Sequence, residues 1–203
     1  MRSPLRLTIV GLLMTLAVAF AASSASAASL PFTNWNLSGT LTVKKLNQSV
    51  TLPAGSRFNG SVDLSTGALT GDVTIPEFTT RFRVLGLPVD ATLDLVEAGP
   101  ATGHVTLGSP NITIDGTSAL TIKIGRLSSP LLPLNLAGGF CQTSSPASLP
   151  LHYVGPLDLA SGFTFSGTTT IPPLEHCGLA TPLLNTLMAG SGNPFTVKLS
   201  PPS

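Results

Sequence analysis

The chain has 203 residues, 42% of them hydrophobic, only 9% charged and 5% aromatic, and its ten Lys and Arg nearly balance nine Asp and Glu. Charges so few and so balanced argue against the basic footprint of a nucleic-acid binder, and the apolar content argues against disorder by the low-hydrophobicity, high-charge route. Twenty Gly and eighteen Pro in an otherwise apolar chain point to many short strands joined by turns.

Arg2 and Arg6 precede an uncharged apolar run from Leu7 to Ala22, and Ala25-Ser26-Ala27 follows with small residues at A-x-A positions. That pattern predicts a secretory signal peptide over residues 1–27. A run of about 16 residues is short for a bilayer anchor, which needs roughly 20. Cleavage after Ala27 removes Arg2 and Arg6 and leaves eight basic against nine acidic residues, net −1. Charge alone would then not draw the protein to a membrane surface. No Cys follows the apolar run, and the end of the chain, Lys198 to Ser203, has no hydrophobic tail. The expected product is secreted or extracellular, with a non-covalent association with the cell envelope left open and no transmembrane segment in the mature chain.

From Trp35 onward apolar residues recur at every second position. Trp35, Leu37, Leu41 and Val43 share one face, as do Phe58 and Val62, then Val73 and Ile75, and Phe82 and Val84. Val89, Ala91, Leu93 and Leu95 continue the pattern, then Ile112 and Ile114, Leu120, Ile122 and Ile124, and finally Phe195, Val197 and Leu199. Such alternation predicts half-buried antiparallel strands, with Thr and Ser on the outer faces, where β-branched Thr suits a strand. A turn at Gly86-Leu87 would set Val84 opposite Val89, Phe82 opposite Ala91 and Arg83 opposite Asp90, with Arg81 diagonal to Asp90 and Asp94. This reads Arg81 and Arg83 as a salt-bridged outer face rather than an anion site. A turn at Thr66-Gly67 would pair Leu64 with Leu69.

The segment Val62-Asp63-Leu64-Ser65-Thr66-Gly67 through Thr74-Ile75-Pro76 is echoed by Leu157-Asp158-Leu159-Ala160-Ser161-Gly162 through Thr170-Ile171-Pro172. Gly86-Leu87, Val105 and Leu107 match Gly178-Leu179, Val197 and Leu199 at a constant offset of 92. These echoes suggest two diverged halves, about 30–125 and 126–203. Ser128 to Pro156 is rich in proline and reads as connection and edge, interrupted by a strand near Leu149 to Val154.

Only the stretch from Gly178 to Gly190 breaks the alternation. Leu179, Leu183, Leu184, Leu187 and Met188 fall at helical spacing, with Thr181 as N-cap, Pro182 at the first helical position and Gly190 as the stop. Cys141 and Cys177 are the only cysteines. In an exported chain the pair reads as a disulfide; the alternative is a metal site built with His176 and Glu175, which strand geometry disfavours because neighbours point to opposite faces.

Histidines 104, 152 and 176 fit no metal-ligand spacing, and there is no nucleophile elbow, phosphate loop or dinucleotide fingerprint. Triads can be drawn from His152 and Asp158 or from His104 and Asp94 with one of many serines, but such abundance carries no weight. No catalytic residue, cofactor or metal is therefore expected, nor a His in a Ser–His–carboxylate chain. Sequons occur at Asn36, Asn47, Asn59 and Asn111. A transmembrane barrel would carry aromatic girdles, and this chain has one Trp and one Tyr.

Ile171-Pro172-Pro173, Cys177-Gly178-Leu179, Pro182-Leu183-Leu184-Asn185 and Gly192-Asn193-Pro194, with the Ala-rich leader, resemble the same features in small exported actinobacterial proteins of unknown role. The resemblance covers about 35 residues of the C-terminal third and implies an all-β secreted protein without known catalytic residues.

The sequence thus predicts a single β-rich domain over 28–203: an all-β, antiparallel β-sandwich-like fold with one short C-terminal helix. The expected function is non-catalytic binding through a surface or groove, with an envelope component as a candidate partner. The alternative is an extracellular carrier of lipid or another hydrophobic ligand. Small residues such as Gly39, Gly60, Gly71 and Gly103 on inner faces could open a cavity for it. An apolar pocket of several hundred Å³ would mark a carrier; a filled core would mark an interaction module.

Overall fold

The computed structural model describes residues 28–84, 86–129 and 134–202, so the expected signal peptide lies outside the described residues. The first six strands are β1 (Ser29–Val43), β2 (Gln48–Thr51), β3 (Arg57–Asp63), β4 (Ala68–Thr74), β5 (Phe78–Val84) and β6 (Leu87–Glu97). They are followed by β7 (Ala101–Leu107), β8 (Ile112–Ser128), β9 (Cys141–Thr143), β10 (Ala147–Gly155), β11 (Phe163–Ile171) and β12 (Leu174–Glu175). Helix α1 (Thr181–Leu187) and β13 (Gly190–Ser200) complete the chain. The protein is all-β, with one short helix and an antiparallel, sandwich-like architecture. No helix among the described residues is long and apolar enough to cross a membrane.

One sheet runs in the order β11-β13-β1-β3-β4-β7-β8-β6-β5. The long strand β8 organises it. Its first half pairs with β7 and β10, and its second half with β6 and β9. The sheet then curls back on itself. β12 pairs with β9, and Thr169 on β11 donates its hydroxyl to the Ser148 carbonyl on β10 at 2.6 Å. The inner faces so brought together hold the alternating apolar rows.

Three clusters fill the interior. One lies under the helix and contains Val43, Phe82, Ile124, Leu184 and Met188. A second is aromatic: Phe32 meets Trp35 edge-on at 4.9 Å, Trp35 stacks on Phe163 at 6.0 Å, and Tyr153 meets Phe163 edge-on at 5.3 Å. Leu37, Ile75 and Leu120 form the third, which shares Phe78 and Leu95 with the first cluster and Val73 and Leu199 with the second. Each large apolar side chain fully removed from water stabilises by roughly 1.5–3 kcal/mol.

Both hairpin registers differ from the sequence expectation by two residues. Val62, not Leu64, faces Leu69. The reason is local chemistry: the Asp63 carboxylate accepts the N–H groups of Ser65 and Thr66, and Gly67 N–H bonds the Asp63 carbonyl. That lengthens the loop to residues 64–67 and leaves Leu64 exposed. At the other hairpin Val84 faces Leu87, so Phe82 faces Val89 and Arg81, not Arg83, faces Asp90. Arg81 grips Asp90 with two hydrogen bonds, of 2.6 and 2.9 Å, and this raises the Arg81 pKa and lowers that of Asp90. A shift of two preserves the face of every side chain, so Phe82 and Ala91 are still buried.

The turn after Asp158 repeats the turn after Asp63. Asp158 accepts the N–H groups of Ala160 and Ser161, and Gly162 N–H bonds its carbonyl. Gly67 (φ 77°) and Gly162 (φ 79°) take the left-handed conformation that glycine adopts without steric cost.

The helix departs from expectation at its start. Residues 178–180 form a 3-10 turn, Ala180 is the N-cap, and Pro182 sits in the first turn. Thr181 is inside the helix; its hydroxyl donates to the Gly178 carbonyl and accepts the Cys177 N–H. Gly190 opens β13 rather than ending the helix, which is followed by Met188 as C-cap. Leu184 and Met188 face the core, whereas Leu179 and Leu183 are exposed.

Candidate ligand cavity

The inner rows of the strands do not meet completely. Between them lies a cavity of about 120 Å³ that reaches from Leu151 and Phe165 near the aromatic cluster to Met188 under the helix. Apart from Thr40, Ser118 and Thr169, every lining residue is apolar. Sites for drug-sized ligands occupy roughly 300–1,000 Å³, and this space is smaller. It is close to the roughly 150 Å³ that, in an engineered apolar cavity, stays dry and accepts benzene.

The inner glycines do not make this space. None of Gly39, Gly60, Gly71 or Gly103 lines it. Gly60 pairs with Gly71, and the Phe58 ring lies over both: a Cβ at position 71 would come 2.5 Å from Phe58 Cζ. At Gly103 the neighbouring strand is the obstacle, since a Cβ there would come 2.6 Å from the Asp115 carbonyl oxygen. These glycines admit a ring or a close backbone. The small residues in the cavity wall are instead Ala101, Ser118 and Ala147.

Two polar groups near this wall lack partners. Ser118 is 6% exposed, and its Oγ is buried with no hydrogen-bond partner. The Thr169 hydroxyl is satisfied by Ser148. Glu97 stands opposite Leu120 on the same face of the sheet. One of its oxygens accepts the Val73 N–H at 2.9 Å, and its other oxygen, Oε1, is buried and unpartnered. Burial is the main cause of its raised pKa, opposed by the hydrogen bond from the Val73 backbone and reinforced by the charge of Asp72. Glu97 bridges the place where the chain passes from β6 to β7.

Met188, the C-cap of helix α1, lies in the cavity wall. The helix is anchored from both sides. Asn185 accepts the Leu174 N–H at 2.6 Å and donates to the Leu174 carbonyl at 3.0 Å. On its N-terminal side, Cys177 is bonded to Cys141, 36 residues away in the chain. Both cysteines are therefore engaged with each other and unavailable as metal ligands; His176 is exposed, 3.8 Å from Glu175. No group of three or more His, Cys, Asp or Glu placed to hold a metal occurs among the described residues.

The other titratable groups lie on the outside. His152 Nδ1 is 2.6 Å from Asp115 Oδ1, and both side chains are mostly exposed. His104 faces Asp115 from the other neighbouring strand, but its Nε2 bonds the Thr66 carbonyl. His152 thus finds Asp115, not Asp158, which is occupied by its own turn. The three side chains edge an open cleft over β7, β8 and β10, with Thr102 and Thr117 beside them. No protein-family model, curated protein or solved structure matches this chain.

Proposed function

We propose that the protein is a non-catalytic, exported binding protein that carries a small apolar molecule in its interior. The observation that carries this reading is the cavity of about 120 Å³ with almost wholly apolar walls. Close packing leaves few voids larger than a water molecule in a protein interior, and an unfilled one forfeits dispersion contacts on every lining side chain. A ligand of benzene size would recover them. The volume narrows the carrier reading from lipids to molecules of about six to eight non-hydrogen atoms. The leader-like N-terminus and the disulfide between Cys141 and Cys177 support export.

Native mass spectrometry of protein recovered from its own host tests the reading, followed by uptake of benzene by the emptied protein. A low-mass apolar adduct, or a melting temperature that rises with benzene, is expected. Protein that carries no adduct and ignores benzene would overturn the proposal.

A second reading is binding through a surface. It is favoured by exposed apolar side chains at the disulfide end, where Phe140 is 83% exposed and Leu179 is fully exposed beside the bonded cysteines. Substituting both by Ser would then abolish capture of the partner while leaving benzene uptake intact.

A further inference from the structure

We infer that the cavity selects an apolar molecule bearing a single hydroxyl group, a phenol or a short alcohol, and that Ser118 is its anchor. The inference rests on the reading of the interior as a ligand site. Its starting point is chemical. The inner row of β8 is otherwise Ile112, Ile114, Leu120, Ile122 and Ile124, with Gly116 the only other small residue. A serine in that row, 6% exposed and without a hydrogen-bond partner, is out of place for packing alone. A buried unsatisfied hydroxyl destabilises a fold, and alanine at that position would fill nearly the same volume without that penalty. Ser118 also lines the cavity, so a molecule occupying the space lies against it.

The Ser118 hydroxyl decides which polar group the ligand carries. Thr102 faces Thr117 across β7 and β8, so Ala101 comes next in register beside Ser118. Glu97 accepts the Val73 N–H through one carboxylate oxygen and keeps its Oε1 unpartnered, but it is not part of the cavity wall. The Ser118 hydroxyl is thus the unpartnered polar group of the wall itself, beside Ala101. A carbonyl could only accept from Ser118. A hydroxyl can accept from Ser118 or donate to it, so it answers both capacities of the serine hydroxyl.

The test compares phenol with toluene, which has the same number of non-hydrogen atoms, by calorimetric titration of the full mature protein and its Ser118→Ala variant. The variant is expected to fold, with a melting temperature equal to or above that of the parent, because the hydroxyl it loses has no partner. Phenol affinity should fall about tenfold or more in Ser118→Ala while toluene affinity stays within twofold. If toluene binds but phenol affinity is unchanged by the substitution, the anchor is overturned and the apolar cavity reading stands. If neither compound binds the parent protein at millimolar concentration, both the anchor and the cavity reading fall.

Discussion

The side chain of Gln48 takes the place of a strand against Arg83. Its Nε2 donates to the Arg83 carbonyl at 2.8 Å, and its Oε1 accepts the Arg83 N–H at 2.7 Å. The register that pairs Arg57 with Thr74 and Val62 with Leu69 would, if continued, put Gln48 opposite Arg83. There β2 and β5 do not form a ladder with each other, and the amide spans the gap with the donor and acceptor that a backbone would offer. Gln48→Ala is expected to destabilise by about 1 kcal/mol, the ordinary net worth of such bonds where water can replace them. Gln48→Glu should also destabilise, because it keeps the acceptor and loses the donor. Urea denaturation of both variants checks this; a neutral Gln48→Ala would mean that the gap is held by packing alone.

The disulfide closes a long loop and pins the segment that leads into the helix. Chain-entropy arithmetic for a loop of this length gives about 4 kcal/mol. The double variant Cys141→Ser, Cys177→Ser should lose roughly that much stability in denaturant. Thiol labelling of the unreduced, denatured protein should find no free thiol; two labels per chain would contradict the bond.

Acid should act on the two matching turns. The side-chain bond from Ser65 is the largest cause of the lowered Asp63 pKa, and that from Ser161 of the lowered Asp158 pKa. A depressed folded value means that the charged carboxylate stabilises the fold above the ordinary Asp value of about 3.9 and that this contribution is lost as pH falls through the depressed one. Glu97 runs the other way: its raised folded value means that protonation favours the fold, so its contribution grows as pH falls toward the ordinary Glu range. Asp63→Asn with Asp158→Asn should flatten the acid limb of stability, and Glu97→Gln should remove the rise that precedes it. Denaturant midpoints measured from neutral pH to below 3 would reveal either effect, and superimposable curves would refute both.

The strand faces were legible in the sequence because period-two alternation depends only on which side of the sheet is dry. Trp35, Leu37, Phe82, Ile114 and Ile124 are all buried where alternation puts them. Register was not legible to the same degree, because it depends on how one carboxylate uses the backbone of its own turn. Asp63 builds a four-residue loop from a sequence that also suits a two-residue one. The disulfide was readable from two cysteines in a chain with an export-type leader. The cavity was not. Inner glycines signalled it, yet rings and neighbouring backbones occupy those sites, and the small residues that line the space are Ala101, Ser118 and Ala147. The one retrospective signal is Ser118, a polar residue on the apolar parity of β8.

Gly71 and Phe58 should behave as a coupled pair. The Phe58 ring lies over the paired Gly60 and Gly71, and it also forms part of the cavity wall. A methyl group at position 71 would come 2.5 Å from Phe58 Cζ and 2.6 Å from Cε2. Either the ring or the strand must shift, and overpacking of this kind typically destabilises by about 1–3 kcal/mol. Removing the ring by Phe58→Ala should cost about 3–5 kcal/mol and enlarge the cavity. In the double variant the added methyl enters space that the ring has left, so the combined loss should be smaller than the sum of the two single losses by about 1 kcal/mol or more. The same substitution should widen ligand choice: Phe58→Ala is expected to accept naphthalene, which the parent protein excludes by size. A double-mutant cycle from denaturant midpoints measures the first effect and ligand-dependent melting the second. Strict additivity would place the ring away from Gly71, and naphthalene binding to the parent protein would show that the cavity expands on its own.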